Sequence, residues 1–388
     1  MRRNIRIAYF LSFAFHAWFW LGSWIFYYLR FGDYASVALL DSGAVAVTLL
    51  MEIPTGAFAD LLGKRKTLIL AFLLQGTGNI VMGLSGSFWM LALSLWLLTC
   101  VGGAFYSGAL EALVFDSLKS MGEDHRFDKV MGGISATKLW SMALCGVIGG
   151  FSYYIAPGLP FILNGIVCLV GFIVCLWLNE PTVDTEKHSL ADFFRQNTLG
   201  IKTLFGSVSM KQLSLFLTMT GAFMVVSYEI LEDLLAIEFG YSPMGISILF
   251  SVACLVAGLI SVYIPRWKIQ IDHKVMLVVS VMIVAVTRLL SPWIGMMAFG
   301  GLTLLGIVSE VVYNNSTSVL VNQNTESKVR ATTLSTLSLL RSLPYAMGGS
   351  LVGALVLLSG GAKNFSLWFG LILVGLTLLL SRGIKKPA

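Results

Sequence analysis

The 388-residue chain is 57% hydrophobic and 12% charged, with a mean hydropathy of +0.83 and a formal net charge of +6. A soluble domain carries about 25% charged residues, so this composition excludes an ordinary water-soluble globule. The positive charge follows from where the basic residues sit in the chain and does not require a nucleic-acid partner.

A membrane-spanning helix needs roughly 20 apolar residues. Lipid offers no partner for free backbone groups, so apolar runs of that length read as helices. In chain order they predict helices over 7–29, 37–59, 67–86, 88–112, 132–155, 159–179, 213–237, 243–265, 274–291, 293–318, 332–358 and 364–382. The expected fold class is an all-α membrane protein of twelve transmembrane helices. Basic residues collect before the first run (Arg2, Arg3, Arg6), in the even-numbered loops and in the tail, whereas the odd-numbered loops hold only Arg30 and Lys363. This bias predicts a multi-pass membrane protein with both termini cytoplasmic. The first run is too long for a cleavable signal, and no small-residue cleavage site follows it.

The first run carries Phe13, His16, Trp20, Ser23, Trp24 and Tyr27 at helical spacing. His16 and Trp20 lie deepest and are candidates for holding an apolar or cationic solute. A lone membrane histidine such as His16 is more often a packing residue than a ligand, and an interfacial belt accounts equally for Trp24, Tyr27 and Tyr28. The second run ends in a polar stretch containing Glu52, Gly56, Asp60, Leu61, Gly63, Lys64, Arg65 and Lys66. The five cysteines, Cys100, Cys145, Cys168, Cys175 and Cys254, all fall in apolar runs without metal-ligand spacing, which points to packing. No cofactor, metal site or catalytic residue is expected.

Charges inside apolar runs are costly and are therefore functional candidates. Helical rise places Glu52 and Glu310 in the inner third, Arg341 near the midplane, and Glu229 and Arg288 in the outer third. Glu232 and Asp233 fall near the outer rim, where hydration is expected, Asp41 also falls near the outer rim, and Glu111, Asp116 and Lys138 fall near the cytoplasmic boundary. Asn314 lies one turn from Glu310 on the same helical face. One reading sets Glu229, Glu310 and Arg341 on a water-filled cavity, where carboxylates exchange protons. The other is static pairing of Glu310 with Arg341 and of Glu229 with Arg288.

The longest loop, 181–212, separates residues 1–180 from residues 213–388 as two six-helix bundles. An internal repeat at an offset of about 207 lays Tyr106, Leu113 and Val114 over Tyr313, Leu320 and Val321. Within the loop, Leu190, Phe193, Phe194, Ile201, Leu204, Phe205 and Val208 recur at helical spacing around Arg195 and Lys202. They predict an amphipathic helix lying either on the cytoplasmic leaflet or on the protein's own underside.

Gly56, Asp60, Gly63, Lys64 and Arg65 fill the G-x-x-x-D-(R)-x-G-(R/K)-(R/K) pattern between the second and third helices, with Leu61 in place of the arginine. The chain thus resembles Major Facilitator Superfamily transporters over nearly its full length, and in particular bacterial drug-efflux-like members. The resemblance implies two pseudo-symmetric six-helix bundles working by alternating access. It also implies a cytoplasmic gate in which Asp60 meets the start of the eleventh helix near Ala331, Arg65 pairs with Asp116, and Arg330 reinforces the cluster. The sequence departs from drug/proton antiporters in three places. Thr99 stands at the fourth-helix arginine position, the fifth helix has Gly146, Gly149 and Gly150 without Gly-Pro, and the loop from Arg266 to Lys274 lacks the motif.

Soluble-enzyme signatures and an ATP-binding domain are missing from the sequence. The expected function is therefore a gradient-driven secondary transporter, a proton-coupled exporter of a hydrophobic or cationic small molecule. Protons are the expected coupling ion, the bilayer the surrounding solvent and a monomer the expected state. A nutrient or metabolite uptake permease and a lipid flippase or non-transporting membrane sensor are the alternatives.

Overall fold

The computed structural model describes residues 1–181, 190–263, 272–326 and 329–384, and every regular element among them is helical. The first five helices are α1 (Arg2–Phe15), α2 (Trp24–Tyr28), α3 (Tyr34–Leu62), α4 (Lys64–Gly83) and α5 (Phe88–Leu93). Next come α6 (Val101–Tyr106), α7 (Ala109–Lys119), α8 (Phe127–Ile155), α9 (Leu159–Cys175) and α10 (Leu190–Leu204). They are followed by α11 (Val208–Val226), α12 (Glu232–Glu238), α13 (Pro243–Tyr263) and α14 (His273–Leu290). The last three are α15 (Met296–Gln323), α16 (Arg330–Leu358) and α17 (Ala362–Ser381). Wider π turns at Ser94–Cys100 and Ser227–Leu231 join α5 to α6 and α11 to α12. Among the described residues, eight helical stretches are long and apolar enough to cross a membrane. Large apolar side chains point outward along them, including Met297, Leu358 and Ile155 at 92%, 83% and 79% exposure. A bilayer would cover such a surface; water would not.

Local chemistry explains where several helices start. The side chains of Ser87, Ser207 and Asp272 accept from the backbone N–H of Met90, Met210 and Lys274, each filling an otherwise unsatisfied donor. Asp33 does the same before α3, accepting from the Ser36 N–H and hydroxyl. Those two bonds hold its carboxyl below the ordinary aspartate range. Gly63 turns the chain between α3 and α4 at φ +87°, a conformation open to glycine at little cost.

The chain forms two compact units that interleave along the sequence. The first comprises Met1–Gly32, Gly43–Leu190 and Pro243–Gly258. Its core gathers Leu11, Phe15, Leu68, Phe72, Leu113 and Cys168. α4 and α9 approach so closely that a Cβ on Gly165 would stand 2.7 Å from the Gly76 carbonyl. Small residues allow this backbone contact, the usual means of close packing in membranes. Segment 243–258 joins this unit through Ser247 and Ser251, which sit against Gly150 and Gly146 of α8.

The second unit comprises Asp33–Ser42, Ala191–Ser242 and Leu259–Ala388. Gly349 and Gly353 of α16 seat the first turns of α3, with Gly349 against Ser42 and Gly353 against Tyr34 and Ala35. α10 rests on the same unit: Gly200 packs against Thr336, and the Ser214 hydroxyl donates to the Leu204 carbonyl at 2.8 Å. Leu199, Ile201 and Phe205 stay exposed, and the side chains of Leu190, Phe193 and Phe194 lie outside the described residues.

The expected first helix over 7–29 is not continuous. α1 ends at Phe15, the chain unwinds over 16–23, and α2 begins at Trp24. The single aromatic face expected from helical spacing is therefore broken between His16 and Trp24. The cause lies in the neighbours. Gly149 of α8 leaves room for the Phe19 carbonyl, and Gly22 fits against the backbone of Ser247.

Candidate functional site

The polar motif lies where α3 ends and α4 begins. Glu52, Gly56 and Asp60 belong to the helical backbone of α3, and their side chains lie outside the described residues, as does that of Ala331. Lys64 and Arg65 open α4. Lys64, not Arg65, pairs with Asp116: its Nζ stands 2.7 Å from Oδ2, with both side chains 7% exposed. Adjacent helical residues point about 100° apart. Lys64 accordingly turns toward α7, while the Arg65 guanidinium donates to the Leu176 carbonyl at 2.6 Å. The backbone N–H groups of Lys64 and Arg65 donate to the two Glu180 carboxylate oxygens at 2.7 and 2.8 Å. Glu180 thus caps α4 from the far end of the unit's sequence, with its charge at the positive end of the helix. A Cβ at Gly63 would stand 2.9 Å from that carboxylate. In the second unit, Arg330 Nε donates to the Thr325 carbonyl at 3.2 Å.

Lys64→Met leaves Asp116 buried without its cation and is expected to cost about 3–5 kcal/mol, whereas Lys64→Met with Asp116→Leu is expected to be nearly neutral. Thermal unfolding in detergent measures both; equal losses in the single and double variants would show that the pair is not the source.

Several backbone groups freed by the unwound segment 16–23 find partners there. The Ser12 carbonyl accepts from the His16 N–H, and His16 Nδ1 lies 2.9 Å from the same oxygen. Ser141 Oγ donates to the Phe13 carbonyl at 2.7 Å, and Cys168 Sγ lies 3.6 Å from that of Ala14. Asn164, fully buried in α9, does two things. Its Nδ2 donates to the Ala17 carbonyl at 2.9 Å, and its Oδ1 accepts from the Trp20 indole N–H at 3.0 Å. Trp18 and Trp20 stack at 4.9 Å, and Tyr106 stacks on Phe15 at 3.7 Å with its edge toward His16. His16 and Trp20 are thus brought into one aromatic group by a break in the helix, each only partly exposed. Irregular backbone inside a membrane is tolerated where protein encloses it or where it lines a cavity. Thr99, at the family's arginine position, donates to Met82 Sδ at 3.3 Å.

In the second unit, the Tyr345 hydroxyl donates to Asp41 Oδ2 at 2.5 Å. Tyr345 is 1% exposed. Glu229 lies within electrostatic range of both, and Asp233 within range of Tyr345. Asp41 is partly buried, while Glu229 remains exposed. Asp41, expected near the outer rim, is tied to a buried tyrosine where Gly349 and Gly353 seat its helix on α16.

Glu229 stands within the π turn between α11 and α12. Arg288 does not pair with it. The guanidinium contacts Glu232, a 4% exposed side chain that the sequence reading left hydrated, and Arg288 Nε donates to Ser227 Oγ at 2.8 Å. Thr303 Oγ1 donates to the other Glu232 oxygen. Arg341 donates to Asn314 Oδ1 at 3.4 Å and lies 5.9 Å over the Tyr313 ring, whose hydroxyl donates to the Leu217 carbonyl at 3.0 Å. Asn314 is therefore brought to Arg341, and Glu310 is partly buried one turn away on α15. Among the described residues, no three His, Cys, Asp or Glu side chains are grouped to hold a metal ion.

Sequence reasoning that followed charges inside the apolar runs missed Asn164, Tyr345 and Glu180. An amide inside the apolar run Leu159–Cys175 was a usable signal for the first. Nothing local marked the other two.

The family model of the Major Facilitator Superfamily matches residues 6–349. "Multidrug resistance protein 2" of Bacillus subtilis (strain 168) is 25% identical over 225 residues, covering 56% of this chain and 54% of that protein. "Tetracycline resistance protein, class B" of Escherichia coli is 26% identical over 164 residues, covering 42% and 37%. The chain spans about half or less of the length of these relatives. The solved nucleoside transporter NupG superposes with a TM-score of 0.77 at 18% identity, covering 99% of each chain. A POT family transporter in complex with 5-aminolevulinic acid gives 0.78 at 15% identity, covering 99% and 97%. At these identities the two structures establish a shared fold.

Proposed function

The chain belongs to the Major Facilitator Superfamily, and on that premise we propose that this multi-pass membrane transporter is a proton-coupled exporter of hydrophobic or cationic small molecules. The observation that carries the reading is the group formed by Asp41, Tyr345 and the exposed Glu229 in the second unit. Acids placed in apolar stretches are retained where they move protons or ions. A carboxylate in apolar surroundings takes up and releases protons nearer neutral pH than one in water. The aromatic group around His16 and Trp20 supplies faces suited to flat or cationic solutes. The two curated relatives are named for resistance to drugs.

In this reading twelve spans form two six-helix bundles, residues 1–180 and 213–388, that work by alternating access, with 181–212 as cytoplasmic linker. The transporter acts as a monomer in a bacterial inner membrane. Gly56, Asp60, Gly63, Lys64, Arg65, Asp116 and Arg330 make up the cytoplasmic gate motif in this reading. Both termini are cytoplasmic, so a C-terminal tag stays unlabelled in intact cells; labelling without permeabilisation would reverse the topology.

A second reading, uptake of a polar nutrient, is favoured by the hydrogen-bonding patch of Arg341, Asn314 and exposed Asn315. Flux in proteoliposomes separates the two. With an inward-acid pH gradient, ethidium is expected to accumulate in vesicles by exchange for protons. Gradient-independent ethidium flux, or movement of nucleosides or peptides with the proton instead, would overturn the export reading.

A further inference from the structure

We propose that Arg288 is a positioning residue: with Glu232 and Ser227 it holds the π turn Ser227–Leu231 in register and so sets where the Glu229 carboxylate points. The inference rests on the proton-coupling reading given above and assigns a task to an ion pair that otherwise reads as packing.

The geometry brackets Glu229 on both sides. Ser227, fully buried, accepts from Arg288 Nε at 2.8 Å. Tyr228 donates from its hydroxyl to the Gly306 carbonyl on α15 at 2.8 Å. Glu232, four residues after Tyr228, is gripped by Arg288 and Thr303. Every anchor is a buried or partly buried side chain, and the residue between them, Glu229, is the exposed one.

A π turn holds one more residue than an α-helical turn, and such turns recur at functional sites. If it relaxed to α-helix, residues beyond it would shift by one position, a rotation of about 100°. Ser227 and Glu232 could not then both meet Arg288. The guanidinium fork, with donors in fixed directions, therefore selects the π geometry. Glu229 is consequently held within electrostatic range of Asp41 of α3 and Tyr345 of α16. Other ionisable groups around it are Asp233 and Glu232 on α12, Arg288 on α14, and Glu310 on α15, which lies within electrostatic range of Tyr228.

The test is infrared titration of carboxylic-acid bands in the full-length protein in liposomes. Glu229→Gln identifies the band belonging to Glu229. Arg288→Met combined with Glu232→Leu removes the brace while keeping volume and leaving no lone buried charge. The expected result is a move of the Glu229 titration midpoint by about one pH unit, a tenfold change in proton affinity, in protein that remains monodisperse by size exclusion. An unchanged midpoint in folded double variant would overturn the positioning role and leave proton coupling standing. Loss of no band in Glu229→Gln would overturn the coupling reading, and with it the positioning role. If the double variant does not fold, Ser227→Ala decides. It keeps the ion pair and removes only the contact to the turn. A midpoint shift in the same direction supports the proposal; an unmoved midpoint sinks it.

Discussion

Glu229→Gln is expected to abolish uphill accumulation of ethidium in proteoliposomes under a pH gradient, while exchange of labelled for unlabelled dye continues. Glutamine keeps the shape of the side chain and can still hydrogen-bond, but it has no group that titrates. One unit of pH gradient supplies about 1.4 kcal/mol per proton. For one-for-one exchange that sustains a concentration ratio of about tenfold. Removing the proton carrier should reduce that ratio to one without emptying the substrate site. Asp41→Asn tests the neighbour: it leaves an oxygen to accept from Tyr345 and removes the second acid. If both variants and Glu310→Gln still drive accumulation with parental pH dependence, none of the three acids couples transport, and His16 and Glu52 become the next candidates.

Asn164→Leu should inactivate transport and lower the melting temperature in detergent by several degrees. Leucine fills the same space and makes neither of the two hydrogen bonds. The Ala17 carbonyl keeps one partner, the Phe19 N–H at 2.8 Å. The indole N–H of Trp20 is left with none of its present bonding. A buried polar group left unmade costs about 1–3 kcal/mol, so the total is expected near 2–3 kcal/mol. Trp20→Phe removes the indole N–H and should recover part of that stability in the Asn164→Leu background, because the orphaned donor is gone. It should not recover transport, since the break loses its clamp either way. An Asn164→Leu protein that melts and transports like the parent would mean that the unwound segment needs no anchor from α9.

The helices were legible because lipid leaves a chain one simple way to satisfy its backbone. Runs such as Val208–Val226 and Ala362–Ser381 are long and apolar, and helices stand there. The same logic could not see the break at 16–23. That stretch is as apolar as its flanks, and what permits it is remote: an amide on α9, a hydroxyl on α8 and a glycine at 149. Partner choice was also hidden. Whether Lys64 or Arg65 meets Asp116 depends on helix phase at a start set by Gly63 and Glu180, residues on either side of more than a hundred others.

Composition and the placement of basic residues thus determined, without coordinates, that this is an all-helical membrane protein with polar motifs at its helix ends. Side-chain period and depth followed from an assumed regular α-helix. The tertiary structure decided the pairings wherever that regularity fails. At Ser227–Leu231 the extra residue of the π turn brings Glu232, not Glu229, to Arg288 and leaves Glu229 exposed. Close glycine contacts seat the start of α3 on α16, where Asp41 meets Tyr345. Apolar burial is read residue by residue from the chain, but a polar contact needs two groups within about 3 Å in fixed directions. A one-residue shift in a helix is enough to exchange one partner for another.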